Sequence, residues 1–115
     1  MSTLPISQTR SAGELIFTSG QIGFDADGRV PPEFGRQVEL AIESLRTQLE
    51  AAGASLATVL KVTNFVVNRD DVAEMNEIYA RYFEEPYPTR STIVTDLVAE
   101  EFLFEIEAVA HRTGA

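Results

Sequence analysis

The sequence predicts an α+β fold in which one β-sheet carries two α-helices on one of its faces. Three observations lead to this prediction. Two segments repeat apolar residues at helical spacing, other segments are rich in β-branched and aromatic residues, and the elements follow in the order strand, strand, helix, strand, helix, strand, strand. With 115 residues and neither an internal repeat nor a linker, the chain is expected to form one domain over residues 1–115.

The N-terminal half is predicted to hold two strands and the first helix. Residues 14–19 lie between two glycines and are rich in β-branched and aromatic types, which indicates a short strand, and residues 21–24 continue as a second extended piece. The first helix is predicted over residues 33–52, where apolar residues recur every three or four positions. These apolar residues are Val38, Ile42, Leu45, Leu49 and Ala52.

Three further strands are predicted in the C-terminal half. Residues 58–68 carry apolar side chains on both of their alternating faces, which is typical of an interior strand covered on both sides. Residues 91–98 and 103–111 are the last two predicted strands, and an acidic connection separates them.

The second helix lies between these strands. It is predicted to begin after Asp70 or Asp71, because Asp71 with Glu74 three residues later resembles a capping box. It is predicted to end near residues 83–85, because Pro86 cannot continue a helix. Helices on one face leave the other face of the sheet to be covered.

The last predicted strand has two different faces. One face is apolar and consists of Phe104, Ile106, Ala108 and Ala110. The other face mixes apolar residues with two carboxylates and consists of Leu103, Glu105, Glu107 and Val109. A mixed face of this kind suits a subunit interface that holds a polar pocket, so the sequence predicts an oligomer.

Composition and charge exclude several classes of protein. Eighteen acidic against nine basic residues give a net charge of -9, which repels phosphate backbones and anionic lipid, so we expect no nucleic acid and no membrane as partners. With no cysteine and one histidine, disulfides and Cys-based metal sites are excluded, and no metal is expected. The first residues show no targeting signal, which predicts a cytoplasmic protein.

Arg90 is the most informative candidate site residue. It lies in the segment Pro88-Thr89-Arg90-Ser91, where a proline-bounded loop enters a predicted strand. A guanidinium grips a carboxylate with two parallel hydrogen bonds, so a small carboxylic acid is the ligand that fits it best. The residues alone leave open that Arg90 pairs with a surface carboxylate, and that Glu105 and Glu107 belong to a solvated strand face.

Five segments, in order along the chain, resemble the Rid family, also called YjgF or reactive intermediate deaminases. They are residues 13–23 with their Ser-Gly-Gln-x-Gly ending, residues 51–55 with residues 59–63, the spaced set Asn76, Tyr79 and Phe83, residues 88–91, and residues 104–110. The resemblance spans nearly the whole chain. It implies a chorismate-mutase-like α+β fold and a homotrimer whose three sheets line a central barrel, with sites in the clefts between subunits.

The resemblance also implies an activity: hydrolysis of 2-imino or 2-enamino acids to 2-keto acids and ammonia, with no cofactor. In that reaction Arg90 would hold the substrate carboxylate, and Glu105 would position the attacking water together with the backbone carbonyl of Thr92. Ser19 and Asn76 match pocket positions of the family. An imino or keto acid is therefore the expected small-molecule partner.

Two positions depart from the best-known subgroup of the family. Ile6 stands where that subgroup has a tyrosine, Thr92 stands where it has a cysteine, and the loop before Arg90 is shorter.

Two other functions remain open. One is a non-catalytic trimer that binds small carboxylic acids or partner proteins. The other is a ribonuclease or translation inhibitor, against which the negative charge and the lone histidine argue.

Overall fold

Five strands form one mixed sheet in the computed structural model, which describes residues 4–113. The strands are β1 (Thr9–Ala12), β2 (Leu15–Thr18), β3 (Val59–Val66), β4 (Thr89–Val94) and β5 (Phe104–His111), and the helices are α1 (Phe34–Ala51) and α2 (Val72–Tyr82). The strand order is β1-β2-β5-β3-β4, with β3 and β4 parallel and the other pairs antiparallel. The prediction of an α+β fold with one sheet and two helices is confirmed.

The structure differs from the predicted N-terminal strands in two respects. The first is β1, which the sequence does not predict, because its residues are polar and mostly exposed and show no apolar alternation. It pairs with β2 through a turn at Gly13, whose φ of 60° suits glycine. Residues 21–24 do not form a strand, and only Gln21 makes an isolated bridge to Ile106.

Two boundaries in the C-terminal half also differ. β4 covers Thr89–Val94 and not residues 91–98, because its register with β3 starts directly after Pro88 and ends when β3 ends at Val66. Asp71 precedes α2, but its side chain makes no capping hydrogen bond. Its backbone is helical, with φ −83° and ψ −7°, whereas a side-chain cap needs an extended residue.

The core lies between α1 and the sheet. Four residues of the apolar stripe predicted for α1 are buried and pack on the apolar face of β5, whereas Ala52 follows the end of the helix and is partly buried. The buried side chains are Val38, Ile42, Leu45 and Leu49 of α1 and Phe104, Ile106, Ala108 and Ala110 of β5. Burying each large apolar side chain stabilises the fold by about 1.5–3 kcal/mol, so this layer keeps α1 packed on the sheet.

The opposite side of the sheet, which we call the open face, has no covering element among residues 4–113. It consists of Leu15, Phe17, Lys61, Thr63, Phe65, Ile93, Glu105, Glu107 and Val109. Phe17 and Ile93 are exposed there. The prediction that residues 58–68 are covered on both sides is therefore only half right for a single chain: Val62 and Val66 are fully buried towards the helices, whereas Lys61 is exposed.

Two fully buried amides differ in how they are hydrogen-bonded. The side chain of Gln37 donates to the carbonyls of Pro31 and Glu101 and accepts from the backbone N–H of Leu103. It thereby ties α1 to the connection before β5. The side chain of Asn64 on β3 has no hydrogen-bond partner for either polar atom within the described part of the chain.

We expect Asn64→Leu to raise the free energy of unfolding by about 1–3 kcal/mol, because it removes buried polar atoms that make no hydrogen bond and nearly keeps the volume. The matched change Gln37→Leu should lower the free energy of unfolding by about 1–3 kcal/mol or more, because it leaves three backbone groups unpaired. Urea unfolding at one fixed protein concentration measures both. Equal destabilisation by the two changes would contradict this distinction.

Candidate functional site

Arg90 lies near the start of β4 and points towards the helices. It is in register with buried Val62 of β3, and its guanidinium carbon lies 5.1 Å from the centroid of the Tyr79 ring on α2. The ion pairs within residues 4–113 involve Arg36, Arg46 and Arg81, and none involves Arg90. The charge of Arg90 is therefore held by an aromatic face, and no carboxylate of the described residues forms an ion pair with it.

Tyr79 provides a rigid support for this guanidinium. The ring is buried and stacks on Phe83, with 4.3 Å between the centroids and an interplanar angle of 22°. Burial raises the pKa of the Tyr79 phenol, and the positive charge of Arg90 partly offsets this rise. The phenol is therefore neutral near pH 7, and its ring presents a π-face to the arginine.

A cleft of about 320 Å³ opens beside Arg90. Its walls are Tyr79 and Ala80 of α2 and Tyr87 and Pro88 of the loop that leads into β4. The loop enters the strand at Thr89, whose hydroxyl donates to the carbonyl of Leu60 at 3.1 Å. The position of Arg90 at the mouth of this cleft depends on these constraints.

Asn76 and Thr92, two other predicted site residues, lie on the same side of the sheet as Arg90. Thr92 follows Arg90 by two positions on β4 and is half-buried, and its hydroxyl has no hydrogen-bond partner in the part of the chain described. Asn76 is exposed and lies one helical turn before Tyr79 on α2. We call Asn76, Tyr79, Arg90 and Thr92 the arginine group.

Glu105 belongs to a second group on the open face. It is half-buried and lies on β5 between Phe104 and Ile106, which point towards α1. The backbone of Gly20 lies directly against its carboxylate, so that a Cβ at position 20 would overlap Oε2 of Glu105. Next to Gly20, the hydroxyl of Ser19 donates to the carbonyl of Ser7 at 2.6 Å. We call Ser19, Gly20 and Glu105 the glutamate group.

The environment of Glu105 favours its protonated form. Burial raises the pKa of the Glu105 carboxyl, and the negative charge of Glu107 on the same face raises it further. None of the ion pairs in the described residues includes Glu105. A carboxylate with a raised pKa accepts a proton from water more readily than an ordinary surface glutamate does.

The sheet separates the two groups within one chain. Arg90 points to the helix side, whereas Glu105 is in register with Phe65 on the open face. A single chain thus brings Gly20, the neighbour of Ser19 in the sequence, against Glu105 and places Thr92 on the same face as Arg90, but does not bring Arg90 to Glu105. Sequence reasoning missed the contact between Gly20 and Glu105, because nothing in a Ser-Gly-Gln segment indicates which distant side chain lies against it.

The described residues offer no group of three or more His, Cys, Asp or Glu side chains that could hold a metal ion. Neither α1 nor α2 is long and apolar enough to cross a membrane.

Comparison with known proteins identifies relatives over nearly the whole chain. The sequence model of the family described as Endoribonuclease L-PSP matches residues 2–112. A RutC family protein of Pyrococcus horikoshii is 38% identical over 110 residues, which cover 94% of this chain and 87% of the relative. TdcF of Escherichia coli, named as a candidate reactive intermediate deaminase, is 34% identical over 114 residues, which cover 96% of this chain and 88% of TdcF.

Solved structures share the fold. The crystal structure of Escherichia coli TdcF with bound serine has a TM-score of 0.88 and 34% identity, with 97% of this chain and 91% of TdcF covered. A candidate endoribonuclease of Thermotoga maritima has a TM-score of 0.90 and 36% identity, with 98% of this chain and 91% of the other chain covered.

We expect Glu107→Gln to lower the pKa of Glu105, because it removes a like charge on the same face. The pKa should stay above the ordinary glutamate value, because burial is the larger cause of the rise. NMR titration of the glutamate carboxyl carbons measures the change, with the exposed Glu77→Gln on α2 as the control that leaves this pKa in place. An unchanged pKa in Glu107→Gln would show that the like charge does not act on Glu105.

Proposed function

Because the chain belongs to the endoribonuclease L-PSP family, which is the Rid/YjgF family, we propose that it hydrolyses 2-imino and 2-enamino acids to 2-keto acids and ammonia. The observation that carries this proposal is the guanidinium of Arg90, which no carboxylate of the described chain neutralises and which borders a cleft. The name of TdcF and the serine in its crystal structure support it, since serine carries the carboxylate that such a guanidinium would bind.

We propose further that the complete site forms between two subunits of a homotrimer. The arginine group and the glutamate group lie on opposite faces of one sheet, so Glu105 can approach Arg90 only from another chain. The open face offers exposed Phe17 and Ile93 to such a neighbour. Covering this face would bury apolar surface and bring a glutamate group to each arginine group.

In this arrangement Arg90 would hold the substrate carboxylate through two charge-assisted hydrogen bonds. The electron-poor carbon of the C=N bond would then face a water held by Glu105 of the partner subunit and by the backbone carbonyl of Thr92. Glu105 would accept a proton from the water as its oxygen bonds to the carbon. Glu105 would pass this proton to the nitrogen and then accept the hydroxyl proton of the adduct as the C–N bond breaks and the C=O bond forms, so that ammonia and the keto acid leave.

The remaining residues would shape the site. Asn76 and Ser19 of the partner subunit would lie at the end of the site that holds the imine carbon, and would supply hydrogen bonds there. The reaction needs no cofactor, because the protonated imine is itself electrophilic. Fixing substrate, water and base in one geometry contributes several kcal/mol to lowering the barrier, up to roughly 7–11 kcal/mol in well-oriented systems.

A non-catalytic trimer that binds small carboxylic acids is the second candidate. One observation favours it: Ile6, at the position where the best-known subgroup has a tyrosine, is exposed and cannot hydrogen-bond a substrate. The arginine group alone would suffice for such binding.

Ribonuclease activity is disfavoured by the net charge of -9, although the matching family is described as Endoribonuclease L-PSP.

We expect Arg90→Ala to lower imine hydrolysis by roughly 100-fold, because it removes a bidentate charge-assisted contact whose hydrogen bonds are worth about 1.5–3 kcal/mol each. An amino-acid oxidase generates the imine, and competition with semicarbazide measures its hydrolysis. Arg81→Ala removes an exposed arginine paired with Glu39 and is the matched control, which should keep full activity. If wild type and Arg90→Ala are equally inactive in this assay while both remain trimeric, the result would contradict imine hydrolysis and favour binding alone.

Mixing two inactive variants tests whether the site is shared between chains. If Arg90→Ala and Glu105→Gln subunits are unfolded together and refolded, about a quarter of the sites in random trimers should combine an intact Arg90 with an intact Glu105 from a neighbour. The semicarbazide assay should then recover about that fraction of wild-type activity. Each variant refolded alone is the control. A mixture that stays as inactive as its components would place the whole site in one chain.

A further inference from the structure

The walls of the cleft beside Arg90 are mostly apolar, and their polar side-chain groups are the guanidinium and the hydroxyl of Tyr87. They consist of the Tyr79 ring, Ala80, Tyr87 and Pro88. The hydroxyl of Tyr79 is buried, so it is the ring of Tyr79 that borders the cleft. With the guanidinium engaged by a substrate carboxylate, the walls offer no charged group to the rest of the substrate.

The cleft is large for a small acid. Its volume of about 320 Å³ exceeds what a methyl or hydroxymethyl side chain would occupy beside the bound carboxylate. This volume lies at the lower end of the roughly 300–1,000 Å³ that small-molecule sites span, so the cleft has room for a small acid whose side chain is larger than a methyl group.

Tyr87 is the wall residue that a ligand would cover most. Its side chain is 58% exposed, although it is a large aromatic. Pro86 and Pro88 flank it and restrict the backbone of the loop, which keeps the ring at the mouth of the cleft. A substrate side chain lying between Tyr87 and Ala80 would bury apolar surface on both partners.

From these observations we propose that the cleft selects 2-imino acids with branched aliphatic or aromatic side chains, and that Tyr87 determines this preference. The inference rests on the proposed function and narrows it. The carboxylate would bind Arg90, the imine carbon would face the water, and the side chain would extend along Tyr87. The side chain of a serine-derived or aspartate-derived imine would place a hydroxyl or a second charge against the apolar surfaces of Ala80, Pro88 and the Tyr87 ring, which offer it no hydrogen bond.

The test compares imines made by D-amino-acid oxidase from D-leucine, D-phenylalanine, D-alanine and D-serine, in competition with semicarbazide. The imine carbon is planar, so the chirality of the amino acid does not enter. We expect the leucine and phenylalanine imines to need at least about tenfold less protein than the alanine and serine imines to divert half of the imine from semicarbazide, since even one buried methylene is worth about tenfold or more.

Three variants assign the preference to the ring of Tyr87. Tyr87→Ala should lower the leucine-to-alanine and phenylalanine-to-alanine ratios by about tenfold, and Tyr87→Phe, which keeps the ring, should retain them. Phe24→Ala removes another exposed aromatic, one that contacts Phe102 away from the cleft, and should leave the ratios unchanged.

A binding measurement separates this inference from the proposed activity. Calorimetry should show that 3-phenylpropanoate binds at least about tenfold more tightly than propanoate, and that Tyr87→Ala narrows the difference. A wild-type protein that diverts no imine would end the proposed function. Diversion of the alanine or serine imine as strongly as the larger ones, or equal binding of the two acids, would overturn the apolar preference while leaving imine hydrolysis in place.

Discussion

The alternation of side chains along β-strands is the constraint on which the site depends. Because neighbouring residues of a strand point to opposite faces, the register of β3 with β4 and β5 sends Arg90 to the helix side and Glu105 to the open face. No side-chain rotation can undo this separation. The shared site that we propose follows from strand parity, and its two catalytic groups would meet only when chains assemble.

The electrostatics of the site are consistent with the recognition of small acids. Arg90 is among the arginines of residues 4–113 that form no ion pair, and it differs from the others of this kind in that it lies over an aromatic ring and borders a cleft. The Tyr79 ring stabilises the guanidinium by about 0.5–2 kcal/mol without neutralising its charge, so the charge stays available to a ligand. Glu105, conversely, is held where burial disfavours its charge, which suits proton transfer and not ion pairing.

The sequence alone predicts the elements in which apolar residues recur with a regular helical or strand period. The spacing of Val38, Ile42, Leu45 and Leu49 predicted α1, and the alternation along β5 predicted which side faces the core. It was insufficient for β1, an edge strand without an apolar pattern, and for the end of β4, which depends on the length of its neighbour. Arg90 was identified from its proline-bounded context, but its platform on Tyr79 arises from tertiary packing between α2 and β4.

Gly20 links two positions that are far apart in the sequence. The φ angle of Gly20 is not in the left-handed region. Glycine therefore suits this position because space for a side chain is lacking, and not because of its backbone conformation. The missing side chain leaves the volume that the Glu105 carboxylate fills, so positions 20 and 105 share one space. A larger residue at position 20 would require either that the Glu105 carboxylate moves or that a shorter residue stands at 105, and both changes would displace the proposed base, so we expect functional sequences to keep glycine at 20 together with glutamate at 105.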